Sequence, residues 1–167
     1  MIGKIMSFAI LPILFSCTQP ENLNTQKNNI MAQEKNIFIN PKGLFNPKYN
    51  GFSHIVKVPE GKNLYYFSGQ WASNVEGKLV SNNFEEQVKQ TVSNVKTAIE
   101  AAGLSLDDVV KQTIYIVDFT PEKKQILIDE ASKEWRVKNF PASTIIPLPL
   151  LATAPNCQIE IEIIASK

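Results

Sequence analysis

From residue 36 onward, apolar positions recur in two different rhythms, and the switches between them divide the chain into strands and helices. Val88, Val92, Val95, Ile99 and Ala102 repeat at helical spacing. Asn83 precedes this run as a helix cap, with Glu86 three residues on as its capping-box partner, and Gly103 supplies the stop. Leu127, Ala131 and Trp135 share one face of a second helix, capped by Thr120 with Pro121 at its first position and ended by Phe140-Pro141. Strands are expected at residues 37–39, 55–58 and 64–68, the last two separated by the Pro59-Glu60-Gly61 turn. Residues 46–51 form a loop, and Glu76-Gly77-Lys78 turns the chain toward Leu79-Val80. Residues 113–117 are β-branched and aromatic, hence a strand. Residues 143–148 are extended, and Pro147 and Pro149 confine them to a sheet edge or an irregular stretch. Residues 158–165 close the chain as a strand in which Ile159-Glu160-Ile161-Glu162-Ile163 alternates strictly. The order is strands, helix, strand, helix, strands. That is an α+β domain over residues 36–167, with two helices on one face of a mixed sheet.

The first residues have another character. Lys4 precedes an apolar run at residues 5–15, of signal-peptide length and short for a bilayer span. It ends Leu14-Phe15-Ser16-Cys17, which resembles a lipobox, where a small residue precedes the cysteine that receives lipid. Residues 1–17 are therefore read as a lipoprotein-type signal, with an ordinary secretory signal and an uncleaved anchor as competing readings. Residues 18–35 are Gln, Asn, Thr, Glu and Lys with little that is apolar, too polar to fold and suited to a tether. The expected location is exported and membrane-anchored through Cys17. Initiation at Met31 would leave a cytoplasmic protein instead.

Composition narrows the function classes. The net charge of +1, from 17 basic and 16 acidic groups, offers no basic surplus for nucleic acid. One histidine, His54, and two distant cysteines, Cys17 and Cys157, argue against a zinc site or a disulfide framework. The single arginine is Arg136.

Four segments together resemble the RidA family, also called YjgF. They are Phe52-Ser53-His54-Ile55-Val56, then Tyr66-Phe67-Ser68-Gly69-Gln70, then Gln87 through Asn94-Val95-Lys96 with Ala101-Ala102-Gly103 and Asp107-Asp108-Val109-Val110-Lys111, and last Pro141-Ala142-Ser143-Thr144 with Ile159-Glu160-Ile161-Glu162. The resemblance implies a chorismate-mutase-like fold and a homotrimer with clefts at the subunit interfaces. It implies hydrolysis of reactive 2-imino acids and their enamines, with release of ammonia and with neither metal nor organic cofactor. It assigns a water-positioning or water-activating glutamate to Glu160, and a substrate-binding set to Phe52, Ser68, Gly69, Gln70 and Ser143. The isoleucine-rich last strand is a further reason to expect assembly.

Where the family's carboxylate-binding arginine follows Pro-Ala, this chain has Ser143, and Phe52 stands where a tyrosine is usual. A guanidinium grips a carboxylate with two bonds, whereas serine offers one neutral donor. Losing one partner of such a pair costs about 2–5 kcal/mol, or roughly 30- to several-thousand-fold in binding. The resemblance therefore implies imine or enamine hydrolysis with a substrate range moved away from 2-imino acids. The alternative is a trimeric small-molecule-binding protein that keeps the cleft without the chemistry. For Glu160 and Glu162 the plainer reading is the polar face of an edge strand. For His54 it is a ring satisfied by local hydrogen bonds, and for Cys157 a small buried residue.

Overall fold

The computed structural model describes residues 35–47, 50–135 and 139–167. The signal region, residues 18–34 of the tether, Cys17, Met31 and Arg136 lie outside them. The elements in order are β1 (Ile37–Ile39), β2 (Ile55–Lys57), β3 (Leu64–Trp71), α1 (Phe84–Ala101), β4 (Val109–Val117), α2 (Pro121–Glu134), β5 (Ala142–Leu148) and β6 (Ile159–Ser166). β1 and β2 pair antiparallel as a separate ribbon, and the main sheet runs β3-β6-β4-β5. β6 is antiparallel to both its neighbours, and β4 and β5 are parallel, joined through α2 as a crossover requires.

Alternation in β6 decides the layering. Ile159, Ile161 and Ile163 are at most 1% exposed and pack with Val88, Val92, Val95 and Ile99 of α1 and Leu127 of α2. Burial of each such side chain contributes about 1.5–3 kcal/mol. Both helices thus cover one face of the sheet. The other face carries Leu64, Tyr66, Thr113, Tyr115, Glu160, Glu162 and Ile164, and Tyr66 is 74% exposed there. The isoleucines expected to help assembly therefore build the chain's own core. β6 is also an interior strand and not an edge, so Glu160 and Glu162 are the polar side of a central strand.

Local chemistry explains the element ends. Asn83 Oδ1 accepts from Glu86 N at 3.1 Å, but the box stays open, because Asn83 N turns to Ser81 Oγ and Glu86 pairs with Lys89. Ala102 is the C-cap of α1 and not part of its buried stripe, and Gly103 follows at φ 71°. Thr120 Oγ1 caps α2 by accepting from Lys123 N at 3.2 Å. β4 begins four residues earlier than the apolar run suggests, since Lys111 goes to the open face while Gln112 is buried beneath the helices. Leu79 makes only an isolated bridge to Ser73 and no strand. β5 is the edge strand that its prolines require. Among the described residues no helix is long and apolar enough to cross a membrane.

Candidate active site

β3 reaches Trp71 instead of stopping at Ser68 because it contains a bulge. Phe67 pairs with Ile163 and Gln70 with Ile161, so Ser68 and Gly69 together oppose Glu162. Gln70 Nε2 folds back onto Ser68 O at 3.1 Å. Beyond the bulge, Trp71 stands opposite Glu160 on β6, and Tyr115 of β4 flanks Glu160 on the other side. Gly69 lies directly over the Glu160 side chain. A Cβ at Gly69 would fall 2.8 Å from Glu160 Cγ and closer still to the carboxyl group. Thr153 Oγ1 donates to Glu160 Oε2 at 2.8 Å from the loop before β6. Ser68, Gly69, Gln70 and Glu160 are therefore one constellation: a half-buried carboxylate held by a hydroxyl, with bare backbone in front of it.

Ser143 is elsewhere. It pairs in register with Gln112, and Gln112 pairs with Ile163, so its side chain is on the helix-covered face. Gln112 Nε2 donates to Ser143 Oγ at 3.1 Å. Both line a cavity of about 210 Å3 between α2, β4, β5 and the Asn50-Gly51 corner, whose walls are mostly apolar and include Trp135 and Phe140. Within one chain, Ser143 and Glu160 thus face opposite sides of the same sheet.

Phe52 does not line this cavity, although Asn50 and Gly51 do. Its ring meets Phe45 and His54 edge-on at 5.8 and 5.5 Å. The cluster is fixed to the head of β5 by Ser53 N donating to Pro141 O at 2.9 Å. His54 is held locally, with Nε2 2.9 Å from Phe45 O. Cys157 is buried, and burial pushes its thiol up from the usual range. On the open face Tyr115 OH donates to Glu162 Oε2 at 3.1 Å, and this bond raises the phenol's pKa. Lys111 Nζ donates to Thr144 Oγ1 at 2.8 Å, and burial lowers the pKa of its ammonium. Among the described residues no group of three or more His, Cys, Asp or Glu is placed to hold a metal ion.

Three participants escaped sequence reasoning. Thr153 lies in a loop with no periodicity, and only folding brings it to Glu160. Lys124 lies in the first turns of α2, where a charge reads as a solvated face, yet it borders the cavity and donates to Asn50 Oδ1 at 3.2 Å. Trp135 was legible as a helix-face residue but not as a cavity wall.

A two-helix α+β layer with a bulge-backed glutamate on the helix-free face defines the class. A family model described as Endoribonuclease L-PSP matches residues 46–167. A RutC family protein of Aquifex aeolicus is 38% identical over 118 residues, covering 70% of this chain and 88% of its own length. The 2-iminobutanoate/2-iminopropanoate deaminase of Escherichia coli K12 is 32% identical over 103 residues, or 62% of this chain and 79% of that protein. The crystal structure of the Rid family protein YyfB from Yersinia pestis superimposes with a TM-score of 0.74 at 27% identity, covering 80% of this chain and all of that one. The chain belongs to the RidA/YjgF family.

Proposed function

We propose that this protein is a cofactor-free hydrolytic deaminase of uncharged reactive imines and enamines, working as a homotrimer. The observation that carries the reading is the Glu160 carboxylate, which accepts a hydrogen bond from Thr153 Oγ1 and packs against the bare Gly69 backbone. A carboxylate in that setting accepts a proton from water as the water oxygen adds to the imine carbon. The nitrogen takes up protons, its bond to carbon breaks, and ammonia leaves as the carbonyl forms.

A cleft that includes both Glu160 and the Ser143 cavity must be built from two chains, because each chain shows them on opposite faces. Joining two unlike patches head to tail closes a ring, which suits the trimer that the family resemblance implies. The substrate is expected to be uncharged because Ser143 and Gln112 replace a guanidinium with neutral groups that already bond each other. The relative named an iminobutanoate/iminopropanoate deaminase supports the reaction class. The net charge of +1 does not favour a ribonuclease. Ammonia release from a panel of neutral imines, compared with the Glu160→Ala variant, tests the reading. Equal rates for the two proteins would overturn it, and a stable trimer that binds such compounds without turnover would favour a binding protein instead. The amino-terminal pattern supports export with lipid on Cys17.

A further inference from the structure

The β1–β2 ribbon carries apolar side chains on both of its faces. Its register pairs Ile37 with Lys57, Phe38 with Val56 and Ile39 with Ile55. Phe38 and Val56 share one face and are half-buried. Ile37, Ile39, Ile55 and Lys57 share the other, where the isoleucines are 48%, 38% and 46% exposed. A solvated strand face is ordinarily polar, and an apolar patch rimmed by polar groups marks a surface that something covers. Charge narrows what that is. Between Glu34 and Glu60 the chain has Lys35, Lys42, Lys48 and Lys57 and neither Asp nor Glu. Lys35, Lys42 and Lys57 are exposed and form no ion pair among the described residues. The ribbon is tied to one end of the main sheet, where Ser166 Oγ donates to Asn36 Oδ1 at 3.4 Å and Ser53 N donates to Pro141 O at 2.9 Å. Ser166 is the last residue of β6 and Glu160 the second, so Asn36 meets that strand roughly 20 Å from Glu160.

We propose that the outer face of the ribbon docks on an anionic lipid bilayer, with Ile37, Ile39 and Ile55 at the headgroup boundary and the flanking lysines against lipid phosphates. The isoleucines leave water there, and each lysine near an anionic surface strengthens binding about fivefold. A second copy of the chain is the poorer partner. Docked by the same face, it would set lysine against lysine with no carboxylate between them. The tether joins the domain at Lys35, immediately before β1. Even fully extended, it keeps the lipid proposed at Cys17 within about 65 Å of this face. The surface itself does not depend on that lipid, and docking by it leaves the Glu160 end of β6 away from the bilayer.

The test uses the full-length chain with Cys17→Ser, which cannot take lipid. Its isoleucine δ-methyl groups carry carbon-13 and are assigned by single Ile→Val variants. It is mixed with lipid nanodiscs bearing a gadolinium-chelate headgroup, made of phosphatidylcholine alone or of phosphatidylcholine with phosphatidylglycerol. The apolar run at residues 5–15 can hold the chain to either disc, so the readout is which methyl groups meet the lipid. With phosphatidylglycerol present, the signals of Ile37, Ile39 and Ile55 should broaden while those of the core residues Ile116 and Ile161 stay sharp. Replacing Lys35, Lys42 and Lys57 together by Gln should lower the ratio of docked to free ribbon by about a hundredfold. Ile37→Ser combined with Ile39→Ser, both at exposed positions, should free Ile55 from the lipid in a protein whose cooperative melt is unchanged. Sharp signals at all three isoleucines in both discs would overturn the proposal. Equal broadening in the two discs would overturn the anionic surface as partner. A smaller particle by light scattering for the doubly substituted protein would show that a second copy covers the face, and would overturn it as well. Ammonia release plays no part in these spectra, so the deaminase reading stands or falls separately.

Discussion

Gly69 packs so closely over Glu160 that the glycine has no room for a Cβ, which would come within 2.8 Å of Glu160 Cγ. Gly69→Ala therefore has to turn the carboxyl group away from Thr153. Because a flexible side chain absorbs the clash, stability should fall by at most about 1–3 kcal/mol. Ammonia release should fall by about a hundredfold or more, as expected for a displaced general base. In a Glu160→Ala background the same substitution should cost about 1 kcal/mol less. Additive stabilities in urea melts would mean that the two residues do not meet.

Ser143→Arg should raise turnover of iminopropanoate generated in situ by an amino-acid oxidase, through kcat/KM and not KM alone. Adding Glu160→Ala should remove the gain. If the unmodified protein already matches arginine-bearing relatives, Lys124 is the candidate cation, and Lys124→Gln should then cost at least about tenfold. No effect of Ser143→Arg in a folded trimer would favour the binding-protein reading.

Tyr66 stands 74% exposed on the helix-free face and makes no contribution to the core. Light scattering should give a trimer for the unmodified chain. Tyr66→Glu, which would bury charge in the contact, should give a folded monomer. An unmodified protein that is monomeric at micromolar concentration would remove the shared cleft altogether.

Gln87 is fully buried on α1 and bonds three backbone groups: Ser81 O at 2.9 Å, Asn156 O at 2.9 Å and Gln158 N at 2.7 Å. Gln87→Ala leaves all three without their partner and should cost about 3 kcal/mol in urea denaturation. It should also lower ammonia release, since the loop that it ties down carries Thr153. A loss below about 1 kcal/mol would mean that water replaces the amide.

Mass spectrometry of the mature protein from its native host should find diacylglyceryl cysteine at Cys17 as the new amino terminus. An intact Met1, or a start at Met31, would refute lipid attachment.

The helices were legible because Val88, Val92, Val95 and Ile99 repeat with the period of a turn, and their caps and stops are local chemistry. The last strand was legible from Ile159, Ile161 and Ile163, but its place was not. Alternation says which side of a strand is buried and is silent about its neighbours, so an interior strand read as an edge. The glutamate and the Ser-Gly-Gln segment came from the family resemblance. That Gly69 lies over Glu160 could not be read from either segment alone, since they are about ninety positions apart along the chain. Ser143 was named through the resemblance as a binding residue, but a motif carries no information about which face of a sheet it reaches, so its place opposite Glu160 within the chain was not legible. Lys111 and Gln112 interrupt an apolar run and hid the first half of β4, although one goes to each face.

The bulge at Ser68 and Gly69 also sets a limit on how this chain can change. Before it, Tyr65 and Phe67 pack against the core, and after it Gln70 is aligned with Ile161 on that same side. Deleting one residue would remove the offset and exchange inside for outside along one arm of β3, expelling Tyr65 and Phe67 or misaligning Trp71 with Glu160. Many substitutions in this segment alter one contact, whereas a change of length alters all of them. Over evolutionary time the number of residues between Phe67 and Trp71 should drift less than their identity.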